Sequence, residues 1–169
     1  MTAPAATPDP TMEAIGKAVL LGREGDTESA RRDLLAIWSK IGVAGDPFHR
    51  CTLAHYLADL HESPAEALIW DVRALDAADA LSDERAQQHH ASLQVAAFYP
   101  SLYLNIADNL RRLGAFGAAA ENINTAGQHA SALGADAYGD TIRTAIREVQ
   151  QAIENGDVER RASAPSAAQ

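Results

Sequence analysis

The chain has 169 residues, with 23 acidic against 14 basic side chains and a formal net charge of −9. Apolar residues make up 47% and aromatics 5%, enough to bury a core in one domain or a short repeat array. The absence of a basic stripe excludes a general nucleic-acid surface, and the acidic balance disfavours anionic membranes. Alanine and other good helix formers dominate and β-branched runs are absent, which predicts an all-α fold. No apolar run approaches the ~20 residues of a transmembrane helix. The opening MTAPAATPDP lacks the basic and apolar regions of a secretory signal. The single cysteine, Cys51, excludes an intrachain disulfide. The expected location is the cytoplasm.

Residues 1–10, rich in Pro, Ala and Thr, are expected to be a disordered tail, with the folded domain spanning 11–155. Thr11 is the expected cap of a first helix carrying Met12, Ile15, Val19 and Leu20 and ending between Gly22 and Gly25. Asp26 or Thr27 caps a second, with Ala30, Leu34, Ile37, Trp38 and Ile41 on one face. Asp46-Pro47 opens a third helix and Ser63-Pro64 a fourth, each a polar cap followed by a proline in the first turn. Ser82, followed by Asp83 and Glu84, opens a fifth helix expected to reach about Phe98, with a break or kink at Pro100. A helical hairpin follows over Leu102–Ala126, with Gly114 at its turn. Asp136 caps a last helix with Ile142, Ile146, Val149 and Ile153 in register. Residues 156–169 are expected to be a disordered tail.

The hairpins repeat a spacing of small residues. Ala18, Gly25, Ala30 and Ile37 correspond to Ala107, Gly114, Ala119 and Ala126, and Ala54, Ala67 and Ala74 play these parts in the middle hairpin. Leu21, Leu57 and Leu110 take the bulky position between them. This pattern resembles the tetratricopeptide repeat (TPR), whose hairpins recur at about 34 residues. Ala18 and Ala54 are 36 residues apart, whereas 53 separate Ala54 from Ala107, so an extra helix, SDERAQQHHASLQVAAF, is inserted. DPFHRCTLAHYLADL and YPSLYLNIADNLRRLG are similar to segments of uncharacterised actinobacterial TPR-like proteins, a resemblance that implies no activity. The family implies a right-handed solenoid, here of about eight helices with a C-terminal capping helix, whose first helix in each hairpin lines a concave groove.

On that resemblance Cys51, His55 and Asp59 face the groove, and their i, i+4, i+8 spacing independently puts them on one helix face. They form a metal half-site that His89 and His90 could complete; the competing reading is a buried thiol, a half-buried imidazole and a solvated carboxylate. Asn105, Asp108, Asn109 and Arg112 form the polar face of the sixth helix. There amides can bond a peptide backbone and Arg112 a carboxylate, or the set is an ordinary wet face. The lysine and asparagine clamp that TPR arrays use for C-terminal carboxylates is missing, since Ile15 and Val19 hold the comparable positions. With Phe48 these imply an apolar groove end. Trp38 and Trp70 are expected to pack rather than bind, and Arg31-Arg32 and Arg111-Arg112 to be solvated.

There is no nucleophile elbow and no phosphate loop, and His61-Glu62 has no second His at Ala65. The expectation is therefore a non-enzymatic scaffold without a cofactor, binding a protein or peptide segment in the groove. The alternative is a small-molecule or metal-sensing domain built on Cys51, His55, His89 and His90. A homo-oligomer covering an exposed apolar end is a further expectation.

Overall fold

The computed structural model describes residues 8–90 and 93–164. Among these residues there are eight α-helices and no strand: α1 (Pro10–Arg23), α2 (Thr27–Ile41), α3 (Pro47–Asp59), α4 (Pro64–Asp79), α5 (Asp83–His89), α6 (Tyr99–Arg112), α7 (Phe116–His129) and α8 (Ala137–Glu154). Short 3₁₀ turns precede α6 (Val95–Ala97) and follow α7 (Ala130–Ala132). None of these helices is long and apolar enough to cross a membrane.

Local chemistry explains most boundaries. Asp26, Asp46, Ser63, Ser82 and Asp136 each accept a main-chain N–H from the first turn of α2, α3, α4, α5 and α8, satisfying donors that the helix itself cannot. α1 starts earlier than expected. Asp9, not Thr11, is its cap, accepting from the Met12 N–H at 3.0 Å, and Pro10 fills the first turn. Residues 8–10 are thereby part of the fold, while the rest of the 1–10 tail lies outside the described residues. Gly114 ends α6 with φ +77°. The Ala115 N–H reaches the Leu110 carbonyl at 2.9 Å, closing the left-handed turn that a side chain would strain.

The most extensive contacts join α1 with α2, α3 with α4, and α6 with α7; α2 then packs on α3, and α4 on α6. Close approach depends on the repeated small residues. Ala18, Ala30, Ala54, Ala67, Ala74, Ala107, Ala119 and Ala126 are all buried. One apolar cluster lies among α1–α4 around Leu34, Leu53, Leu57 and Trp70, and extends to Leu102 of α6. A second joins α6, α7 and α8 through Leu104, Ile123, Ile146 and Val149. Trp38 and Trp70 meet edge to face at 5.1 Å, with the Arg73 guanidinium 4.3 Å from the Trp70 ring centroid, so both rings pack. Ile15 is also core and Phe48 is covered, so no apolar groove end is formed by Ile15, Val19 and Phe48.

The inserted segment departs from expectation. α5 ends at His89 instead of continuing to Phe98. The chain reverses so that the Val95 N–H donates to Asp83 Oδ1 at 2.8 Å; in a straight helix these residues would lie ~18 Å apart along the axis. Reversal lets Val95 and Ala86 bury Phe48 in a third small cluster. Arg85 pins the insertion, donating to Asp46 at 2.7 Å and to Asp9 at 3.3 Å, while His49 lies 2.7 Å from Asp9. The caps of α1 and α3 are thus joined through one guanidinium. Burial opposes ionisation of both carboxylates, but these hydrogen bonds hold Asp9 and Asp46 below the usual carboxylate range. Pro100 falls in the first turn of α6, where its missing N–H costs nothing, so the break precedes Tyr99 and no kink interrupts the helix.

Candidate functional site

Helices α3 and α6 each carry one row of polar side chains, and the two rows divide between two cavities. Nearer the starts of both helices lies a cavity of about 700 Å³, lined by Cys51, His55 and Tyr56 of α3, Phe98, Ser101 and Leu102 at the start of α6, and Leu133 and Tyr138 around the start of α8. Nearer their C-terminal ends is a polar groove enclosing about 50 Å³, lined by Asp59, Asn105, Asp108, Asn109 and Arg112 together with His61, Asp71, Arg160 and Arg161. The seven candidate groove residues therefore do not meet in one site. Cys51 and His55 line the larger cavity, and the other five line the smaller groove.

The His pair of the insertion joins neither. The His89 ring packs against Phe48, with centroids 5.1 Å apart, and His90 follows the helix in extended backbone. Among the described residues no three or more His, Cys, Asp or Glu side chains come together in a way that could hold a metal. Burial pushes the Cys51 thiol up to about 12, against the opposing charge of Arg50, so at neutral pH it is protonated. The Nδ1 of His55 is buried without a hydrogen bond to any described residue.

At the floor of the polar groove sits Asp71 of α4, 1% exposed. It accepts from Asn109 Nδ2 at 2.7 Å and from Asn105 Nδ2 at 3.4 Å. Burial, then the nearby charge of Asp59, pushes its carboxyl well above the usual range despite those two amides. Burial likewise raises Asp59, against the charges of His55 and Arg160. Two amides of the sixth helix, expected to face a ligand, thus serve first to hold a buried acid. The sequence carries a trace of Asp71, because it shares a helix face with Ala67 and Ala74 and so falls in the buried register.

The Arg111-Arg112 pair is not a solvated face. Arg111 is 0% exposed. Its Nε and one terminal nitrogen donate to Asp108 Oδ1 at 3.0 and 2.7 Å, and its two terminal nitrogens donate to the carbonyls of Asp157 and Glu159 at 2.6 and 2.8 Å. Arg112 is half-buried and donates to the Glu62 carbonyl at 3.0 Å. Residues 157–164, expected to begin a disordered tail, therefore lie against α6 and α8, while 165–169 fall outside the described residues. Arg161 donates to Asp108 Oδ2 at 3.3 Å and to Glu148 at 2.9 Å, and the Ser163 hydroxyl donates to Glu148 at 2.7 Å. The Ser163 and Arg161 bonds hold Glu148 below the usual carboxylate range. Nothing local in the sequence announces this docking, since its partners on α6 lie 46 to 53 residues away.

Geometrically the groove is a polar, amide-lined slot in which Asp59, Asp71 and Asp108 face Arg112, Arg160 and Arg161, with an irregular stretch of main chain along one side. Such a slot recognises main-chain groups and cationic side chains. It has no nucleophile with an adjacent base. Comparison of the chain with protein-family models, curated proteins and solved structures returns no match.

Proposed function

We propose that this protein is a non-enzymatic helical scaffold that holds an extended segment of a protein partner across α3 and α6, on a TPR-like stack of hairpins. The observation that carries the reading is an irregular segment, 157–164, laid against α6: Arg111 holds two of its carbonyls, Asp108 holds its Arg161, and Arg160, Arg161 and Ala164 close one side of the groove. A surface that holds an extended segment by a side chain on Asp108 accommodates a side chain of another chain at the same carboxylate. The order of packing, α1–α2 to α3–α4 to α6–α7, supports the stacked arrangement. Peptides selected from a random display library on the full chain are expected to bind the protein and to lose about tenfold or more in affinity on the Asn105→Ala/Arg112→Ala variant, measured by calorimetric titration. Equal binding to both proteins would place the peptides elsewhere and overturn the assignment.

The larger cavity favours a second reading, a regulatory domain that takes a small molecule. Its volume of about 700 Å³ falls within the range of ligand pockets, and it combines aromatic walls with the unpaired His55 Nδ1. Native mass spectrometry of untagged protein is expected on this reading to show a retained small molecule that the His55→Ala variant loses. A ligand-free spectrum from every preparation would remove its support.

A further inference from the structure

We propose that residues 157–164 are a tethered occupant of the polar groove, and that the external partner is a peptide whose arginine replaces Arg161 on Asp108. This rests on the peptide-groove reading above. The segment is held in two tiers of unequal strength. Its first half is anchored by the buried Arg111 through the Asp157 and Glu159 carbonyls, contacts that belong to the fold. Its second half is held by Arg161 and Ser163 on Asp108 and Glu148. Glu148 is 43% exposed, so its ion pair with Arg161 contributes only about 0–1 kcal/mol, and the one sheltered contact of this half is the pair of Arg161 with Asp108, 11% and 14% exposed.

The outer half therefore hangs chiefly on one ion pair, and a rival for Asp108 displaces it while the inner half stays. Removing it frees Asp108 Oδ2, while Arg111 stays on Oδ1, in a slot also lined by Asp59, Asp71, Asn105, Asn109 and Arg112. That vacated oxygen accepts a cationic side chain, and a guanidinium matches the carboxylate geometry that Arg161 already uses. His61 adds a second feature that the tail does not satisfy. Both of its ring nitrogens are buried without a hydrogen bond to any described residue, although Nδ1 lies 3.5 Å from Glu66. A partner longer than 160–164 can offer it a main-chain group. A tethered occupant competes at an effective concentration of about millimolar, so it screens out weak rivals and yields to tight ones.

The test compares the full chain with a chain ending at Glu159, which keeps both residues whose carbonyls Arg111 holds, and with full-length Arg161→Ala, which carries the comparison if the shortened chain does not fold. Peptides are selected from a random display library on the shortened chain. The expected result is enrichment of arginine among them and affinity for the full chain about tenfold or more weaker than for the shortened one. Arg161→Ala in the full chain, which needs no truncation, is expected to recover most of that difference. Peptides that bind full and shortened chains alike, or that carry no arginine, would overturn the inference while leaving the peptide groove standing. Retention of no peptide by either chain would overturn both.

Discussion

Replacing Arg111 by Met is expected to lower the free energy of unfolding by about 3–5 kcal/mol, because it removes one partner from a buried ionic network. The methionine retains an unbranched stem, so packing changes little. What is lost is the fork of donors. Asp108 keeps only Arg161 among its two guanidinium partners, and the Asp157 and Glu159 carbonyls lose theirs. Arg111→Lys is expected to recover less than half of the loss. An ammonium retains the charge but cannot reach the carboxylate and both carbonyls in the planar geometry the site presents. Urea denaturation measures the effect, and limited proteolysis should show cleavage near residue 160 in the variant at protease levels that spare the parent. A loss under about 1 kcal/mol would mean that the guanidinium is worth no more than a surface pair.

Asp71 predicts two substitutions of opposite sign. Asp71→Leu leaves the buried Asn109 amide without its acceptor and is expected to cost about 1–3 kcal/mol where the parent acid is protonated, a cost that shrinks as pH rises. Asp71→Asn keeps an acceptor oxygen for Asn109 and removes the titration. The folded-state pKa of Asp71 lies above its unfolded value, so the protonated acid is the form the fold favours. Its contribution is complete below the ordinary carboxylate range and is lost as pH rises towards the raised value. Asp59 shifts in the same direction. The amide variant therefore gains on the parent as pH rises from 5 to 8, and its stability curve over that interval is flatter. Parallel denaturation midpoints for parent and Asp71→Asn across the interval would show that Asp71 is ionised without penalty.

Asp71 and Arg111 also mark where a reading of the sequence stops. Both are charged residues on amphipathic helices, where the ordinary expectation is a solvated face. Asp71 left a trace, since its register with Ala67 and Ala74 points inward. Arg111 left none. Its register follows from α6, but its burial requires a segment more than 40 residues further on to fold back over it. Four of the five polar candidates that share the groove are legible because helix geometry alone puts Asn105, Asp108, Asn109 and Arg112 on neighbouring turns. Cys51 and His55 share the face of Asp59 by the same spacing, yet they open into a different cavity. Spacing along a helix says nothing about how the opposing wall is divided.

By itself the sequence determined what is local. The Asp-Pro and Ser-Pro caps, the glycine of the α6–α7 turn and the 3.6-residue pattern of apolar side chains set the number of helices and most of their ends, because those choices are made within about one turn of the chain. The repeated alanines set which faces meet, because only small side chains let helix axes approach closely. Tertiary structure alone decided the reversal after His89, the cap of α1 joined to that of α3 through Arg85, the burial of Arg111 and the seating of 157–164 in the groove. Each depends on a charge or an N–H finding its partner after the chain has folded. The energy of such a contact comes from desolvation and geometry at the meeting point, and neither is written in the spacing of either strand of sequence.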